Sequence, residues 1–366
     1  MGRGASETEK GTAERPARLL DVARRAGVSR ATAARALGGY GLVGDDTRER
    51  VEAAARELNY SANVVARAMR AGRTLTIGVV IADISNSFFS YATRAIIDAA
   101  AQAGYQTLVI NTDDDLAREI DAVRLLVEKR VDGLILVASS RRRYEHLVQD
   151  GKLSTPLVLL DRRVEGLDVA TVTTNDRSGS AAAIDLFIAR GHRRIGLLVA
   201  TAAATARHAT APSEVVSTVS DRLEGALTAI AGHGMELPSE SIRYSRSEVE
   251  AATEGALELL SLQPRPTAIL ATNEEMALGV LAACAQLGLE IGSDVSLVSF
   301  DDSPWAKVIS PAISVIKRPV YELGNAAAKG LIAEIAGNGR AKTIELPTSM
   351  IDRRSVADLT QAKPNS

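Results

Sequence analysis

Beyond Leu75 the sequence alternates short apolar runs with longer amphipathic segments. The runs include LTIGVVIAD, QTLVIN and VDGLILVA, and each has the length of a strand that is buried on both faces. Strands that alternate with helices in this way predict parallel sheets covered by helices on both sides. The roughly 290 residues involved are too many for one such sheet, so we expect two doubly wound parallel-sheet subdomains with a cleft between them.

The predicted elements also locate a ligand site. Helices are expected over about 115–129, 177–190, 221–232, 247–262, 275–287 and 320–336, with strands in apolar runs between them. In open α/β sheets the ligand lies at the carboxyl ends of the strands. We therefore expect the loops that follow Asp83, Asp161, Thr272 and Phe300 to line the cleft.

The stretch DVARRAGVSRATAARAL, residues 21–37, predicts two short helices joined by a tight turn. The buried stripe of the first helix consists of Leu19, Val22, Ala23 and Ala26, which recur at helical spacing. Gly27 follows where a left-handed C-cap is expected, and Ser29 can cap the second helix through the backbone N–H of Thr32. Two helices arranged in this way form a helix-turn-helix.

The second of these helices has an apolar face and a basic face. Its inward positions are Ala33, Ala36 and Leu37, and its outward positions are Arg30, Ala31, Ala34 and Arg35. Small residues on the outward side allow the helix to approach the floor of a DNA major groove. The arginines can then reach base edges or phosphates.

A third helix and the charge distribution support this interpretation. Asp46 and Glu49 are spaced like a capping box at the start of the third helix, ahead of an apolar stripe that can close a three-helix core. Residues 1–73 contain 14 lysines and arginines against 9 acidic residues, whereas the remaining chain contains 29 against 36. A basic excess confined to one end of the chain indicates a polyanionic partner there.

The segment SANVVARAMRAG, residues 61–72, predicts a short basic helix. Asn63 can cap it, and Met69 is an apolar side chain set among arginines. Such a side chain can act as a wedge in a minor groove while the arginines hold phosphates. The alternative is a charged linker helix.

Several other classes of protein find no support in the sequence. No GxGxxG follows a strand, no P-loop occurs, and no cysteine or histidine pair has metal-binding spacing, so we predict no enzyme, cofactor or metal site. The one cysteine, Cys284, is typical of a reducing cytoplasm. No apolar run reaches the about 18 residues that a membrane span needs. The polar segment 1–17 is predicted to be a flexible tail without a secretory signal.

The motifs occur in the order found in one family of bacterial regulators. They are DVARRAGVSRATAARAL, TRERVEAAARELNYSANVVARAM, IGVVIADISNSFF, RVDGLILV, GHRRIGLL, TAILATNEEMALG and VSLVSFDDSPWA. Together they resemble the lactose-repressor (LacI) family over residues 19 to about 354. The resemblance implies an all-α helix-turn-helix DNA-binding domain at 18–61, a hinge helix and linker at 62–73, a two-lobed effector-binding and dimerisation domain at 74–354, and a C-terminal tail at 355–366.

The resemblance also implies the site residues. The DNA-binding positions are Ser29, Arg30, Ala31, Thr32 and Arg35 in the helix-turn-helix, and Asn63, Ala66 and Met69 in the hinge. The effector domain is similar to periplasmic sugar-binding proteins, and its matching cleft positions are Phe88, Phe89, Asp161, Arg162, Arg222, Asn273 and Asp301.

Three stretches depart from the family's usual pattern. Ala33 and Ala34 stand in the recognition helix where Val-Ser is common, which removes one hydroxyl able to bond a phosphate. Ala62 replaces the usual proline before the hinge asparagine. Residues 200–222 contain a long loop rich in Ala, Thr and Ser, which we expect to be mobile.

The expected function is that of a cytoplasmic repressor that binds a pseudo-palindromic operator as a homodimer, under the control of a small molecule in the cleft. A carbohydrate is the first expectation for this effector, and a nucleoside or another metabolite is the alternative. Only 3% of the residues are aromatic, and Phe88, Phe89 and Trp305 are the available stacking platforms. A solute-binding protein and an α/β enzyme are the competing interpretations, but neither explains the N-terminal helices.

Overall fold

The computed structural model describes residues 17–38, 41–58, 60, 73–149, 152–153, 155–201 and 215–360. The chain divides into two compact units, Met1–Thr74 and Leu75–Ser366. None of the helices within the described residues has the length and apolar character that a bilayer span requires.

The described part of the first unit contains three helices, α1 (Leu19–Arg25), α2 (Arg30–Gly38) and α3 (Asp45–Glu57). Val22, Ala33 and Val51, one from each helix, are completely buried in a common core. The turn between α1 and α2 is possible because Gly27 adopts a positive φ of 68°, which side chains disfavour. The helix-turn-helix predicted from the spacing is confirmed as a fold.

The start of α3 differs from the prediction. The helix begins at Asp45, its N-cap is Gly44, and no side chain caps it, so Asp46 lies within the first turn and is not the cap. Two carboxylates in that turn still interact favourably with the positive end of the helix dipole. A glycine is also an acceptable N-cap residue, because it needs only the extended backbone seen here.

The second unit contains two lobes, which we call the N-lobe and the C-lobe. The N-lobe sheet consists of β1 (Thr76–Ile81), β2 (Gln106–Asn111), β3 (Gly133–Leu136), β6 (Leu157–Leu160), β7 (Ala170–Thr174) and β13 (Ile344–Leu346), with a separate hairpin of β4 (Val148–Gln149) and β5 (Lys152–Leu153). The strand order is β13-β7-β6-β3-β1-β2, and every neighbouring pair is parallel. Helices α4 (Ser87–Gln102) and α11 (Val320–Ile335) cover one face, and α5 (Leu116–Glu128) covers the other.

The C-lobe repeats this plan. Its sheet consists of β8 (Ile195–Thr201), β9 (Ile242–Arg246), β10 (Ala268–Ala271), β11 (Ser296–Phe300), β12 (Ser314–Lys317) and β14 (Ser349–Ile351). The order is β14-β12-β11-β10-β8-β9, with β14 antiparallel to β12. Helices α6 (Asp176–Ala189) and α7 (Ser217–Gly232) pack on one face, α8 (Val249–Leu260) and α9 (Glu274–Leu287) pack on the other, and α10 (Pro304–Val308) is a short helix after β11.

The chain passes between the lobes three times, from β7 to α6, from β12 to α11, and from β13 to β14. Asp176 lies at the first crossing and Arg318 at the second. The crossings therefore carry charged side chains to the place where the carboxyl ends of both sheets face the cleft. The two doubly wound subdomains expected from the sequence are confirmed, although β9, β12, β13 and β14 were not among the predicted strands.

The end of the chain departs from the predicted domain boundary. Residues 355–360, which the sequence assigns to a C-terminal tail, pack on the C-lobe. The Ser355 hydroxyl donates to the Leu297 carbonyl at 2.6 Å, and the Leu359 N–H donates to the Arg190 carbonyl at 2.8 Å. Ser355 and Val356 are buried, because the segment fills the end of the space beside β11 and β12.

Candidate functional site

The first candidate surface is the outward face of α2. Ser29 caps the helix, since its hydroxyl oxygen accepts a hydrogen bond from the Thr32 N–H at 3.0 Å. Arg30, Ala31 and Arg35 are exposed, while the alanines on the other face are buried in the helical core. The structure thus presents two arginines and a methyl group on one slim helix face, as a major-groove reader requires. The predicted hinge residues Asn63, Ala66 and Met69 lie outside the described residues, as do residues 202–214 of the predicted long loop.

The second candidate site is a cavity of about 90 Å³ between the two lobes. All seven cleft positions expected from the resemblance line it, namely Phe88, Phe89, Asp161, Arg162, Arg222, Asn273 and Asp301. The lining also includes residues that sequence reasoning missed, among them Ser139, Glu275 and Arg318. Trp305, expected as a stacking platform, is not part of this lining, and its indole N–H donates to Glu274 at 2.7 Å.

Two aspartates occupy equivalent places in the two sheets. Asp161 follows β6 in the N-lobe and Asp301 follows β11 in the C-lobe, and both have positive φ, 68° and 71°. Each backbone N–H donates to the neighbouring strand, to Val172 and Ile316 respectively. Left-handed backbone at non-glycine residues is costly and concentrates at functional sites, and aspartate tolerates it better than most residues. The left-handed backbone at the carboxyl ends of these strands therefore directs both carboxylates into the cleft.

Arg318 joins these two aspartates across the lobes. Its Nη1 donates to Asp161 at 2.9 Å, and its Nε and Nη2 donate to the two oxygens of Asp301 at 2.7 Å each. The guanidinium carbon lies 3.6 Å from the centre of the Phe88 ring, so the cation also covers one face of that ring. Burial opposes the charge, but the carboxylates of Asp301, Asp176 and Asp161 hold the pKa of Arg318 above its ordinary value. A signal for Arg318 existed in the sequence, since the arginine directly follows the short strand β12, whose last residue is Lys317, but that strand was not predicted.

The other two cleft arginines are also paired. Arg162 donates to both oxygens of Asp114 and, at 3.1 Å, to the Ala138 carbonyl. Arg222 donates to Asp176 at 2.7 Å and to the Thr272 carbonyl at 2.6 Å, with its guanidinium 4.2 Å from the Phe300 ring centre. Asn273 has a structural bond as well, because its side-chain oxygen caps α9 through the Met276 N–H at 2.9 Å.

Polar contacts link the lobes at the cleft's edge. The Asn86 amide of the N-lobe donates to Glu275 of the C-lobe at 2.8 Å, and the Ser87 hydroxyl donates to Glu274. Ser87 also lies 3.1 Å from the hydroxyl of Ser303. These bonds and the Arg318 bridge hold the two lobes together around the cavity. Within the described residues, no group of three or more His, Cys, Asp or Glu side chains is arranged to hold a metal ion.

Two family models match the chain. The model described as "Bacterial regulatory proteins, lacI family" matches residues 18–63, and the model described as "Periplasmic binding protein-like domain" matches residues 184–356. The first match covers the three-helix unit, and the second covers most of the C-lobe.

Curated proteins and solved structures match nearly the whole chain. The HTH-type transcriptional repressor PurR of Photobacterium profundum is 30% identical over 94% of this chain and 99% of its own length. The ribose operon repressor of Bacillus subtilis is 31% identical over 93% of this chain and 98% of its own length. The crystal structure of the lac repressor dimer bound to operator and the anti-inducer ONPF is 26% identical, with a TM-score of 0.80 over 94% of this chain and 100% of that one. A transcriptional regulator CelR–cellobiose complex is 25% identical, with a TM-score of 0.68 over 93% and 99%.

Proposed function

We propose a function from the premise that this chain belongs to the LacI family and is a DNA-binding transcriptional regulator, not an enzyme. The proposed function is that of a cytoplasmic repressor of a pseudo-palindromic operator. In this proposal it binds the operator as a homodimer and is controlled by a small polar molecule in the cleft. The observation that carries the proposal is the joint presence of a basic, groove-sized face on α2 and a cavity lined by polar side chains from both lobes.

The recognition helix supplies the DNA contacts in this proposal. Arg30, Ala31 and Arg35 contact base edges or phosphates, and Thr32 lies near the backbone of the duplex, with Ser29 at the start of the helix. The predicted hinge residues Asn63, Ala66 and Met69 contact the central minor groove, with Met69 as the wedge. Two such units, related by the twofold axis of a dimer, place their recognition helices in successive major grooves.

An apolar edge of the N-lobe supports the homodimer. Strand β2 is the outermost strand of its sheet, and its Leu108 and Val109 side chains are 43% and 39% exposed. Ile97 of the adjacent helix α4 is 39% exposed. A long edge strand with exposed apolar side chains is a liability in a monomer, so its burial against a second copy is favourable.

A carbohydrate is our first candidate for the effector, and a nucleoside is the second. Relatives include a repressor of a ribose operon and a regulator in complex with cellobiose. The cavity lining combines the Phe88 and Phe89 rings with hydrogen-bonding groups. Both sugars and nucleosides can stack on aromatic rings and form hydrogen bonds through their polar groups. The ligand acts by changing the angle between the lobes, and a coupling of about 1–3 kcal/mol would change operator affinity by roughly 5- to 150-fold.

Selection from a random duplex pool tests the proposal. The full chain is used to enrich sequences at moderate salt, and the enriched duplexes are then measured by gel shift with and without D-ribose or adenosine. We expect a pseudo-palindrome whose half-sites are about one helical turn apart. Replacement of Arg35 by Ala is expected to weaken the enrichment, whereas Arg56→Ala, which removes an exposed arginine of α3, serves as the matched control and should leave it unchanged. Absence of any enriched motif would overturn the proposal.

A further inference from the structure

Three buried polar atoms of the cleft have no hydrogen-bond partner among the described residues. They are the Ser139 hydroxyl, Nε of Arg162 and Oε2 of Glu275, and all three residues line the cavity. A buried donor or acceptor without a partner costs free energy, so native proteins rarely retain one without a reason. Two of these atoms lie on the N-lobe wall and can donate, and one lies on the C-lobe wall and can accept.

Glu275 stands apart from the other carboxylates of the cleft. Of the other carboxylates that line the cavity, Asp161 and Asp301 are bonded to Arg318 and Asp114 to Arg162, while Asp83 accepts from the Ser85 N–H and hydroxyl through Oδ1. Glu275 instead uses one oxygen, Oε1, to accept from the Asn86 amide at 2.8 Å. Among the described residues, its second oxygen is the one carboxylate oxygen that is both buried and without a hydrogen-bond partner.

We propose that Glu275 is the specificity-determining acceptor of the cleft, receiving a hydrogen bond from a hydroxyl or amino group of the effector, while Nε of Arg162 and the Ser139 hydroxyl donate to the effector's other side. This inference rests on the proposed function, because it needs a small-molecule effector in the cleft. The ligand class follows: a neutral molecule with donors at one end and acceptors at the other, and not an anion, since an anion would face Glu275.

The charges around Glu275 add a dependence on pH. Burial raises the pKa of the Glu275 carboxyl to about 7, against the opposing effect of the Asn86 hydrogen bond, and the nearby Glu274 and Asp83 also repel its charge. The arginines on the facing walls, Arg162, Arg222 and Arg318, are each committed to aspartates.

The accepting form of Glu275 is the ionised one, because a protonated carboxyl would present a donor to the ligand's donor. About one tenth of the molecules carry this form at pH 6 and about nine tenths at pH 8, and apparent affinity scales with the competent fraction. Binding is therefore expected to strengthen roughly tenfold from pH 6 to pH 8.

Titration calorimetry on the full chain tests this at pH 6 and pH 8 with D-ribose, adenosine and ribose 5-phosphate. We expect D-ribose or adenosine to bind, with the tenfold rise in affinity, and ribose 5-phosphate not to bind. In Glu275→Gln we expect affinity at pH 8 to fall at least tenfold and the pH dependence to disappear. Glu250→Gln, which removes an exposed glutamate from the neighbouring helix α8, should leave both unchanged.

The outcomes separate the inference from the proposed function. Binding by wild type that is equal at both pH values, or Glu275→Gln that binds as tightly as wild type, overturns the inference while operator binding stays intact. Failure of both neutral probes to bind also overturns it, as does tight binding of ribose 5-phosphate. Failure of wild type to select any operator overturns the proposed function itself. The wild-type comparison between the two pH values stands without any variant, so a folding defect in Glu275→Gln would not remove the test.

Discussion

The arginines of the two units show the same side chain in opposite environments. On α2, Arg30 and Arg35 are exposed on a helix whose other face is buried. In the cleft, Arg162, Arg222 and Arg318 are 7%, 5% and 5% exposed, and each donates to at least one carboxylate. An exposed guanidinium is available to a phosphate or a base edge, whereas a buried and paired one is part of the scaffold that shapes a pocket.

The comparison explains why an arginine count alone predicts little about binding. The cleft contains three cations, yet each is paired with an aspartate, and the buried oxygen of Glu275 without a hydrogen bond is the distinctive feature. On the basic face of α2, by contrast, the Arg30 side chain makes no hydrogen bond within the described residues. Burial and pairing, not residue type, therefore distinguish an arginine that can bind a nucleic acid from one that shapes a small-molecule pocket.

The largest expected effect comes from removing the central cleft cation. Arg318→Ala removes the guanidinium that pairs the buried carboxylates of Asp161 and Asp301. Breaking a buried ion pair in this way is expected to lower the free energy of unfolding by about 3–5 kcal/mol. Urea denaturation followed through the single tryptophan, Trp305, in the C-lobe measures this. A loss below about 1 kcal/mol would mean that buried and exposed arginines do not differ as described.

The dependence of stability on pH should reveal the raised pKa of Glu275 in the absence of ligand. Because its pKa is raised from 4.5 to about 7 in the folded protein, the native state keeps a proton that the unfolded state releases between these values. Stability is then expected to fall by about 2 kcal/mol from pH 5 to pH 8 on account of this group. Urea denaturation of wild type and Glu275→Gln at both pH values isolates the contribution of this carboxyl to the free energy of unfolding. Parallel curves for the two proteins would refute the expected shift.

Operator affinity is the measurement for the exposed arginines. Arg35→Ala is expected to weaken binding to the selected operator roughly tenfold, since a lost base or phosphate contact costs about 1–3 kcal/mol. Stability should hardly change, because the side chain is exposed and its one backbone contact, to the Ala31 carbonyl, is long at 3.4 Å. A large drop in melting temperature together with unchanged DNA affinity would assign Arg35 a structural role instead.

The smallest effect is expected for a surface ion pair within the lobed unit. Arg94 donates to Asp98 one helical turn away at 2.9 Å, but its side chain is 72% exposed. Arg94→Ala should therefore change the free energy of unfolding far less than Arg318→Ala does in the same urea series. A loss comparable to that of Arg318→Ala would remove burial as the cause of the difference.

Local patterns predicted the three-helix unit well. The stripe that includes Val22 and Ala33, the turn at Gly27 and the cap at Ser29 all involve residues within a few positions of one another. The same holds for most of the parallel strands, because a buried strand is a continuous apolar run. Short or half-exposed strands such as β9 and β14 lack that signal, so their positions came only from the structure.

The cleft shows the opposite case. Its seven positions were expected from a resemblance, and the structure brings all of them to one cavity, but their partners could not be derived from spacing. Arg318 contacts Asp161 across 157 positions, and Asn86 contacts Glu275 across 189. Which carboxylate is neutralised and which oxygen stays free depends on how two lobes meet.

The sequence by itself determined the helix-turn-helix, the two α/β lobes and the side chains available at the strand ends, because helix and strand periodicity and capping are short-range properties of the chain. Only the tertiary structure decided which arginines are buried in ion pairs, that Trp305 is not part of the cavity lining, and that Glu275 keeps an unpaired oxygen. The physical reason is that desolvation and ion pairing depend on distances between residues remote in sequence, and three passages of the chain between the lobes set those distances.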